Sequence, residues 1–198
     1  DRPGGTCLNR GCIPTKTLWK NAEIMENIHR KAEFGLLMDE CKIDPIRLNE
    51  RKCEVVEKIV GGVEFLIGSY PNIEYLKGFG SFVDPHKIHV KLNDGSEKDV
   101  TADYIIIATG SKPSVPPIAG TDLPNVITSD EFLDINEVPA RLAVIGGGVI
   151  GSELGQAFST FGSEVTIVEM ADRLIANMDK DASVALEKQF RKQGIEVL

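Results

Sequence analysis

Two cysteines five positions apart, Cys7 and Cys12, constrain this chain more than any other feature of its sequence. A disulfide between them needs Cα atoms about 4.4 to 6.8 Å apart, whereas five extended residues span roughly 17 Å. The chain between them must therefore turn back on itself. Asn9 and Gly11 tolerate such a turn, and Gly11 can take a positive φ without strain. The spacing predicts a redox disulfide held against a cofactor.

A helix is predicted to begin just after Cys12. Pro14 suits a first helical turn, and apolar residues then recur at helical spacing at Leu18, Ala22, Met25 and Ile28. Cys12 thus lies at a helix N-terminus, where the helix dipole and free N–H groups favour a thiolate and make a disulfide exchangeable. Lys16 follows at i+4 on the same face, where a cation would stabilise that thiolate and could lie against a flavin edge.

Two other interpretations of the cysteines remain open: reduced structural thiols, or half of a zinc site. A four-ligand zinc site needs partners at suitable spacing, and the other cysteines and histidines form no second paired cluster. These are Cys41, Cys53, His29, His86 and His89. We expect no metal site, and we expect Cys41 and Cys53 to be unpaired structural thiols.

Composition narrows the class of protein. The 198 residues carry a formal net charge of −8, which argues against nucleic acid as the main partner. No apolar run reaches membrane-spanning length, and no signal peptide is recognisable, although the chain begins at Asp1 and an upstream segment is expected. Four cysteines, two of them in a redox motif, fit a reducing cytoplasm.

The first part of the chain predicts helices followed by short strands. Asp44 and Pro45 form an N-cap signal for a second long helix, which ends at Tyr70-Pro71-Asn72. The apolar residues after that point no longer recur at helical spacing but form short runs bounded by turns, and Asn93-Asp94-Gly95 is a strong hairpin signal. We predict a small antiparallel layer from the runs Ile73 to Leu76, Gly80 to Val83, Lys87 to Leu92 and Glu97 to Val100.

The segment from Ala102 to Ala108 is predicted to be a buried parallel strand that meets a cofactor at Thr109-Gly110-Ser111. Four prolines between Lys112 and Pro124 then suggest a crossover between domains. We place a first domain at residues 1–120, a crossover at 121–140 with a short capped helix at Ser129, and a second domain at 141–198.

A nucleotide-binding fingerprint opens the second domain. The predicted strand Leu142 to Ile145 leads into G-x-G-x-x-G, a helix continues from Glu153 to Phe161, and Val165 to Val168 forms the next strand. The glycines make the tight turn, admit a pyrophosphate and let helix and strand pack closely. They lie within Gly146, Gly147, Gly148, Val149, Ile150 and Gly151.

Glu169 ends that second strand, where a carboxylate accepts hydrogen bonds from ribose hydroxyls. The same charge would repel a 2′-phosphate, which favours NAD over NADP, although Arg173 is nearby. Asp179 and Asp181 are predicted to open a third helix, which leads into a strand from Ile195 to Leu198. Glu153 is either a solvent-facing helical residue or the partner of Lys16 across the domain interface.

The motif Gly-Gly-Thr-Cys-Leu-Asn-x-Gly-Cys-Ile-Pro-x-Lys at Gly4 to Lys16, with the Thr109-Gly110-Ser111 strand end and the glycine fingerprint, resembles the flavin-dependent pyridine nucleotide disulfide oxidoreductases. Within that family the chain looks most like the dihydrolipoyl dehydrogenases. The resemblance implies an α/β fold with two Rossmann-like dinucleotide-binding domains, the first a partial FAD domain with an antiparallel insertion and the second a partial NAD domain.

The resemblance also implies a role for each matching residue. Cys7 would be the thiol that exchanges with substrate and Cys12 the thiolate beside the flavin, with Lys16 and Glu153 near the flavin ring. FAD would contact Gly4, Gly5, Thr6, Lys16, Gly80, Thr109, Gly110 and Ser111. NAD would contact Gly146, Gly147, Gly148, Val149, Ile150, Gly151, Glu153 and Glu169. The implied reaction passes electrons from dihydrolipoamide, carried on lipoyl domains of a 2-oxo acid, acetoin or glycine cleavage complex, through the disulfide and FAD to NAD.

The chain departs from the family pattern in what it lacks. Family members carry an earlier G-x-G-x-x-G for FAD and a C-terminal dimerisation domain with a histidine-glutamate pair. The histidines of this chain, His29, His86 and His89, do not lie in the sequence context of that pair. We therefore expect an internal fragment of a homodimeric enzyme that binds FAD poorly alone. The alternatives are another disulfide reductase, of glutathione or mercuric reductase type, and a non-catalytic NAD-binding redox sensor.

Overall fold

The computed structural model describes residues 2–198, which form helices and two separate three-stranded sheets. The helices are α1 (Gly5–Arg10), α2 (Cys12–His29), α3 (Pro45–Ser69), α4 (Ser129–Phe132), α5 (Val149–Phe161) and α6 (Lys180–Lys192), with a short 3-10 turn at Lys31–Phe34. The strands are β1 (Gly78–Asp84), β2 (Lys87–Leu92), β3 (Glu97–Thr101), β4 (Arg141–Ile145), β5 (Glu164–Val168) and β6 (Glu196–Val197). The α/β class predicted from the sequence is confirmed.

The two long helices begin where the sequence predicts. The side chain of Asp44 caps α3 by accepting a hydrogen bond from the N–H of Arg47, and Pro45 occupies the first helical position. Leu8 of α1 packs against Val56 and Val60 of α3 in a small buried cluster. These contacts fix the segment that carries Cys7 against the middle of α3.

The strands β1, β2 and β3 form an antiparallel sheet in that order, as the hairpin signal predicts. Gly95 has φ +87°, the left-handed conformation that the tight turn after Leu92 requires. The run Ile73 to Leu76 is not a strand, contrary to the sequence prediction. The N–H of Ile73 instead donates to the carbonyl of Tyr70 in a turn at the end of α3.

Residues 141–198 form a parallel βαβαβ unit, which we call the second half of the chain. Strands β4, β5 and β6 pair in parallel in that order, with α5 connecting the first two and α6 the last two. Its core is fully buried and consists of Val165, Ile167, Leu174, Phe190 and Ile195. The strands and helices predicted around the glycine fingerprint are therefore formed.

A second apolar core joins the two halves. Leu18 and Ala22 of α2 pack against Leu154 and Phe158 of α5, and Leu133 closes the cluster from the end of α4. The rings of Phe132 and Phe158 lie 4.5 Å apart between centroids. The disulfide-bearing helix and the helix of the nucleotide fingerprint are thus packed directly against each other.

The sequence predicts a buried strand from Ala102 to Ala108, and this prediction is wrong. It has no regular secondary structure, and the side chains of Tyr104 and Ile106 are 93% and 90% exposed. The N–H of Ala102 donates to the carbonyl of His86 at the end of the antiparallel sheet, but no strand within residues 2–198 pairs with the segment beyond it. A strand needs such a hydrogen-bonding neighbour. In the same range, no helix is both long and apolar enough to cross a lipid bilayer.

Candidate functional site

The predicted disulfide is formed between Cys7 in α1 and Cys12 at the start of α2, with Cα atoms 4.6 Å apart. The sequence predicts a turn between the cysteines, but α1 is a short helix that ends at Arg10. Gly11 has φ −137°, so the positive φ suggested for it is wrong. A Cβ there would lie 3.0 Å from the carbonyl oxygen of Thr6, and this close approach of the two backbones explains the glycine.

Both cysteines of the disulfide are exposed, and Cys12 is the first residue of an 18-residue helix. Gly11 supplies no side-chain cap to that helix, and Pro14 has no N–H. The first N–H groups of α2 are therefore free to face an anion at the Cys12 sulfur. This arrangement favours release of Cys12 as a thiolate when the disulfide opens.

Lys16 and Glu153 form an ion pair, as one of the two sequence interpretations of Glu153 predicts. The Lys16 Nζ lies 2.5 Å and 2.6 Å from the two carboxylate oxygens of Glu153. Their side chains are 58% and 31% exposed, so the pair remains accessible from one side. The ion pair links the helix of the disulfide to the helix of the glycine loop.

Trp19 is a contact residue that the sequence analysis missed. Its indole N–H donates to the backbone carbonyl of Glu153 at 3.1 Å. The available signal was its position three residues after Lys16, which places both side chains on one face of α2. Arg10 was missed as well, and its guanidinium lies 3.4 Å from Asp130 of α4.

The glycine loop has the close packing that its fingerprint predicts. Gly146 has φ +105°, and a Cβ at Gly151 would lie 2.2 Å from the carbonyl oxygen of Gly146. Gly148 precedes α5 without a side-chain cap, and a Cβ there would meet open space. The exposed residues Val149 and Ile150 follow, so the first N–H groups of α5 face outward and could hold a phosphate.

Glu169 is bonded to the same loop. Its carboxylate accepts from the N–H of Gly147 at 2.6 Å and from the N–H of Ala171 at 2.7 Å. Both bonds lower the pKa of Glu169 below its ordinary value, and the bond from Ala171 has the larger effect. The residue is therefore a carboxylate at neutral pH. The loop after β5 is further held by the N–H of Ile175, which donates to the carbonyl of Gly147.

Arg173 is engaged within its own turn. Its guanidinium donates to the carbonyl of Ala176 at 2.9 Å and lies 3.5 Å from Asp172. Arg173, which the sequence offered as a possible partner for the 2′-phosphate of NADP, is therefore hydrogen-bonded to the backbone of its own loop. Glu169 remains the charged group bonded to the glycine loop.

The remaining residues predicted to contact FAD fall into two sets. Gly4, Gly5 and Thr6 lead into the disulfide, with φ +100° at Gly4 and +60° at Gly5. Gly80 instead lies in β1 opposite Val90, and Thr109 to Ser111 lie in an exposed segment without regular structure. Among the helices and strands, α1 and α2 pack mainly against each other, α3 and α5. The contact of this second set with FAD stays a prediction.

The residues present fit the two cofactors to different extents. The uncapped α5 N-terminus and the Glu169 carboxylate suit the pyrophosphate and ribose of a dinucleotide. For FAD, the exposed disulfide and Lys16 leave room for the edge of a flavin, but the single G-x-G-x-x-G run of the sequence lies between β4 and α5, in the segment predicted to bind NAD. Among residues 2–198, no group of three or more histidine, cysteine, aspartate or glutamate side chains is placed to hold a metal, and Cys41 and Cys53 are free thiols.

Solved structures resemble this fold over nearly its whole length. The HOCl-induced flavoprotein disulfide reductase RclA from Escherichia coli superposes with a TM-score of 0.81 at 33% identity, covering 98% of this chain and 40% of that one. A Cu(II) complex of the same reductase superposes with a TM-score of 0.82 at 33% identity, over the same shares of the two chains.

Curated relatives match with higher identity. A dihydrolipoamide dehydrogenase of Chaetomium thermophilum is 42% identical over 97% of this chain and 38% of its own length. A dihydrolipoyl dehydrogenase of Bacillus subtilis is 37% identical over 98% of this chain and 42% of its own length. The chain therefore spans about two fifths of the length of these relatives. The family model described as pyridine nucleotide-disulphide oxidoreductase matches residues 2–198, and the chain belongs to that family.

Proposed function

We propose that the protein to which this chain belongs is an FAD-dependent dihydrolipoyl dehydrogenase that uses NAD. The observation that carries the proposal is the Lys16–Glu153 ion pair, because it joins an exposed disulfide to a dinucleotide-binding loop. A disulfide oxidoreductase that passes electrons through a flavin to a nicotinamide must bring both sites within reach of the same flavin. The curated relatives named above carry this activity in their names.

Cys7 and Cys12 would carry the exchange with the dithiol. A thiolate of dihydrolipoamide attacks the Cys7 sulfur, the bond between Cys7 and Cys12 breaks, and Cys12 leaves as a thiolate. The second substrate thiol then attacks the mixed disulfide, which releases cyclic oxidised lipoamide and leaves Cys7 reduced. The free N–H groups at the start of α2 support Cys12 as the leaving thiolate.

FAD bound against the dithiol would accept its electron pair and supply a hydride to NAD. Lys16 would hold its ammonium beside the flavin edge, and Glu153 would fix the position of that ammonium while the nicotinamide approaches. The Lys16 side chain is more than half exposed, which leaves room for a cofactor at this point. Both residues therefore serve orientation and charge placement in the proposal.

NAD is the favoured nucleotide because of Glu169. Its carboxylate is ionised and lies at the glycine loop, where it suits ribose hydroxyls and repels a 2′-phosphate. Arg173 is bonded to the carbonyl of Ala176 instead of pointing free towards a phosphate. In the proposal, Gly146 to Gly151 hold the pyrophosphate.

The proposal extends to the organisation of the whole protein. Residues 1–120 would belong to an FAD domain, 121–140 to the crossover and 141–198 to an NAD domain, in a homodimer that acts on lipoyl domains of a multienzyme complex. The cysteine usage supports a cytoplasmic location. Gly80 and Thr109 to Ser111 would complete the FAD site in the presence of the rest of the domain.

A flavoprotein disulfide reductase that consumes reduced nicotinamide is the second candidate. The similarity to the reductase from Escherichia coli favours it, since that protein shares the fold at 33% identity. Reductases of glutathione or mercuric type fall in this class, and a redox sensor without turnover would be a third outcome.

Steady-state assays on the full-length protein separate these candidates. The proposal expects dihydrolipoamide-dependent reduction of NAD, much slower reduction of NADP, and loss of both in Cys7→Ser. Oxidation of NADPH by glutathione disulfide or Hg²⁺ without lipoamide turnover would instead establish a reductase. Absence of flavin together with NAD binding would indicate the sensor.

A further inference from the structure

Trp19, the single tryptophan of the chain, is hydrogen-bonded to the backbone of Glu153, and Lys16 is paired with the side chain of the same residue. The indole N–H of Trp19 donates to the Glu153 carbonyl at 3.1 Å. The Lys16 ammonium lies 2.5 Å from the Glu153 carboxylate. Glu153 is therefore fixed at two points by one face of α2.

The bond from Trp19 is additional to the helical bonding of α5. Inside a helix the carbonyl of Glu153 is the acceptor for the N–H four residues later, and a carbonyl oxygen can accept a second bond. The carbonyl is thus satisfied without Trp19. What the indole adds is a directional link between α2 and α5 at the level of the carboxylate.

The surroundings make this link rigid. The Trp19 ring is half-buried and packs against the apolar core formed by Leu18, Leu154 and Phe158. A half-buried ring in a close-packed core has few alternative rotamers, so its N–H keeps a fixed direction. Rotation or sliding of α5 along α2 would break the bond to Glu153.

We propose that Trp19 is a positioning residue for the nicotinamide half of the reaction. Through the Glu153 carbonyl it fixes the rotation of α5, and this rotation places the Glu153 carboxylate on Lys16. The inference rests on the proposed function. We expect the dithiol half of the reaction, which takes place at Cys7 and Cys12, to respond much less, because Lys16 stays one turn after Cys12 on α2 without this link.

The experiment replaces only the N–H of Trp19 in the full-length protein. The residue 3-benzothienylalanine, introduced at position 19 by codon suppression, keeps the shape of the ring and has sulfur where the indole has N–H. Rapid-mixing measurements follow flavin reduction by dihydrolipoamide and flavin reoxidation by NAD separately, in this variant, in Glu153→Gln and in the two combined. Hydrogen exchange of residues 149–157 is measured on the same proteins.

The proposal expects the variant to slow reoxidation by NAD by about tenfold while flavin reduction stays within about twofold of wild type. Combined with Glu153→Gln it should add little, because both changes remove the same placement of the carboxylate. Exchange in the first two turns of α5 should become faster. A variant that behaves as wild type in kinetics and exchange, or whose effect multiplies fully with that of Glu153→Gln, overturns the inference.

The wild-type protein serves as the control for the function itself. If dihydrolipoamide does not reduce its flavin, the proposed function fails, and hydrogen exchange in the benzothienyl variant still decides whether Trp19 fixes α5 on α2. Unchanged exchange then overturns the link, and faster exchange supports it. If the wild type turns over and only the variant result is negative, the inference alone fails.

Discussion

The N–H of Gly147 donates to the carboxylate of Glu169 at 2.6 Å, so the glycine loop is bonded to the residue directly after β5. A second bond comes from Ala171, and together they lower the pKa of Glu169. A carboxyl group whose pKa is lower in the folded protein stabilises the fold above its unfolded pKa, and that stabilisation disappears as the pH falls through the folded value.

We expect Glu169→Gln to reduce the free energy of unfolding by about 1 kcal/mol at neutral pH, because the amide accepts one of the two bonds and offers an N–H to the other donor. The difference from wild type should shrink as the pH falls through the lowered pKa of folded Glu169, because below it the wild-type carboxyl is protonated too. Urea unfolding of the full-length protein at several pH values measures this. A difference that stays constant down to the lowest pH would contradict the assigned role.

Two glycines of the same loop should respond differently to a methyl group. A Cβ at Gly151 would lie 2.2 Å from the Gly146 carbonyl oxygen and 3.0 Å from Val144, so Gly151→Ala must open the loop. A Cβ at Gly148 meets open space at φ −70°, so Gly148→Ala leaves the fold intact but projects into the proposed pyrophosphate site.

We therefore expect Gly151→Ala to lower the melting temperature and Gly148→Ala to leave it near that of wild type. Gly148→Ala should nevertheless weaken NADH binding by about tenfold or more, because the backbone can no longer approach the phosphates. Calorimetry and fluorescence titration of the two variants provide the comparison. Equal melting temperatures, or unchanged NADH binding by Gly148→Ala, would argue against this loop as the nucleotide site.

Lys52 links α3 to the segment that follows α4. Its side chain is 4% exposed, and its ammonium donates to the Leu133 carbonyl at 2.7 Å and to Asp134 at 2.6 Å. Lys52→Met keeps the packing of the side chain but leaves a buried carbonyl unpaired, so we expect a loss of about 2 kcal/mol in the free energy of unfolding. Because the bond to Leu133 is buried, the loss should persist in high salt.

Lys20→Met is the matched control for that variant. Lys20 pairs with Glu23 on the surface, with both side chains more than half exposed. Exposed pairs of this kind contribute about 0.5 kcal/mol or less. Similar losses of unfolding free energy in the two variants would show that the buried bond of Lys52 contributes no more than an exposed ion pair.

Local signals in the sequence were sufficient for most of the secondary structure. The Asp44-Pro45 cap, the Asn93-Asp94-Gly95 turn and the glycine fingerprint each depend on neighbouring residues alone, and the structure has α3, the hairpin and the βαβ unit at these points. The disulfide also followed from short spacing. The pairing of Lys16 with Glu153, across 137 positions, came only as one of two interpretations.

Features that depend on tertiary contacts were not predictable from one sequence. The apolar run at Tyr104 to Ala108 has the composition of a buried strand, but no described residue pairs with it. The bond from Trp19 to the Glu153 carbonyl depends on how α2 packs on α5, which periodicity does not reveal. At Gly11 the reason for glycine is the approach of the Thr6 backbone and not a positive φ.

The central claim is that the Cys7–Cys12 disulfide exchanges electrons between a dithiol and a flavin, and anaerobic titration of the full-length protein with dihydrolipoamide tests it most directly. We expect the oxidised flavin absorption to give way to a long-wavelength thiolate-to-flavin charge-transfer band that Cys12→Ser lacks. A protein without flavin, or a flavin spectrum that dihydrolipoamide leaves unchanged, would contradict the claim.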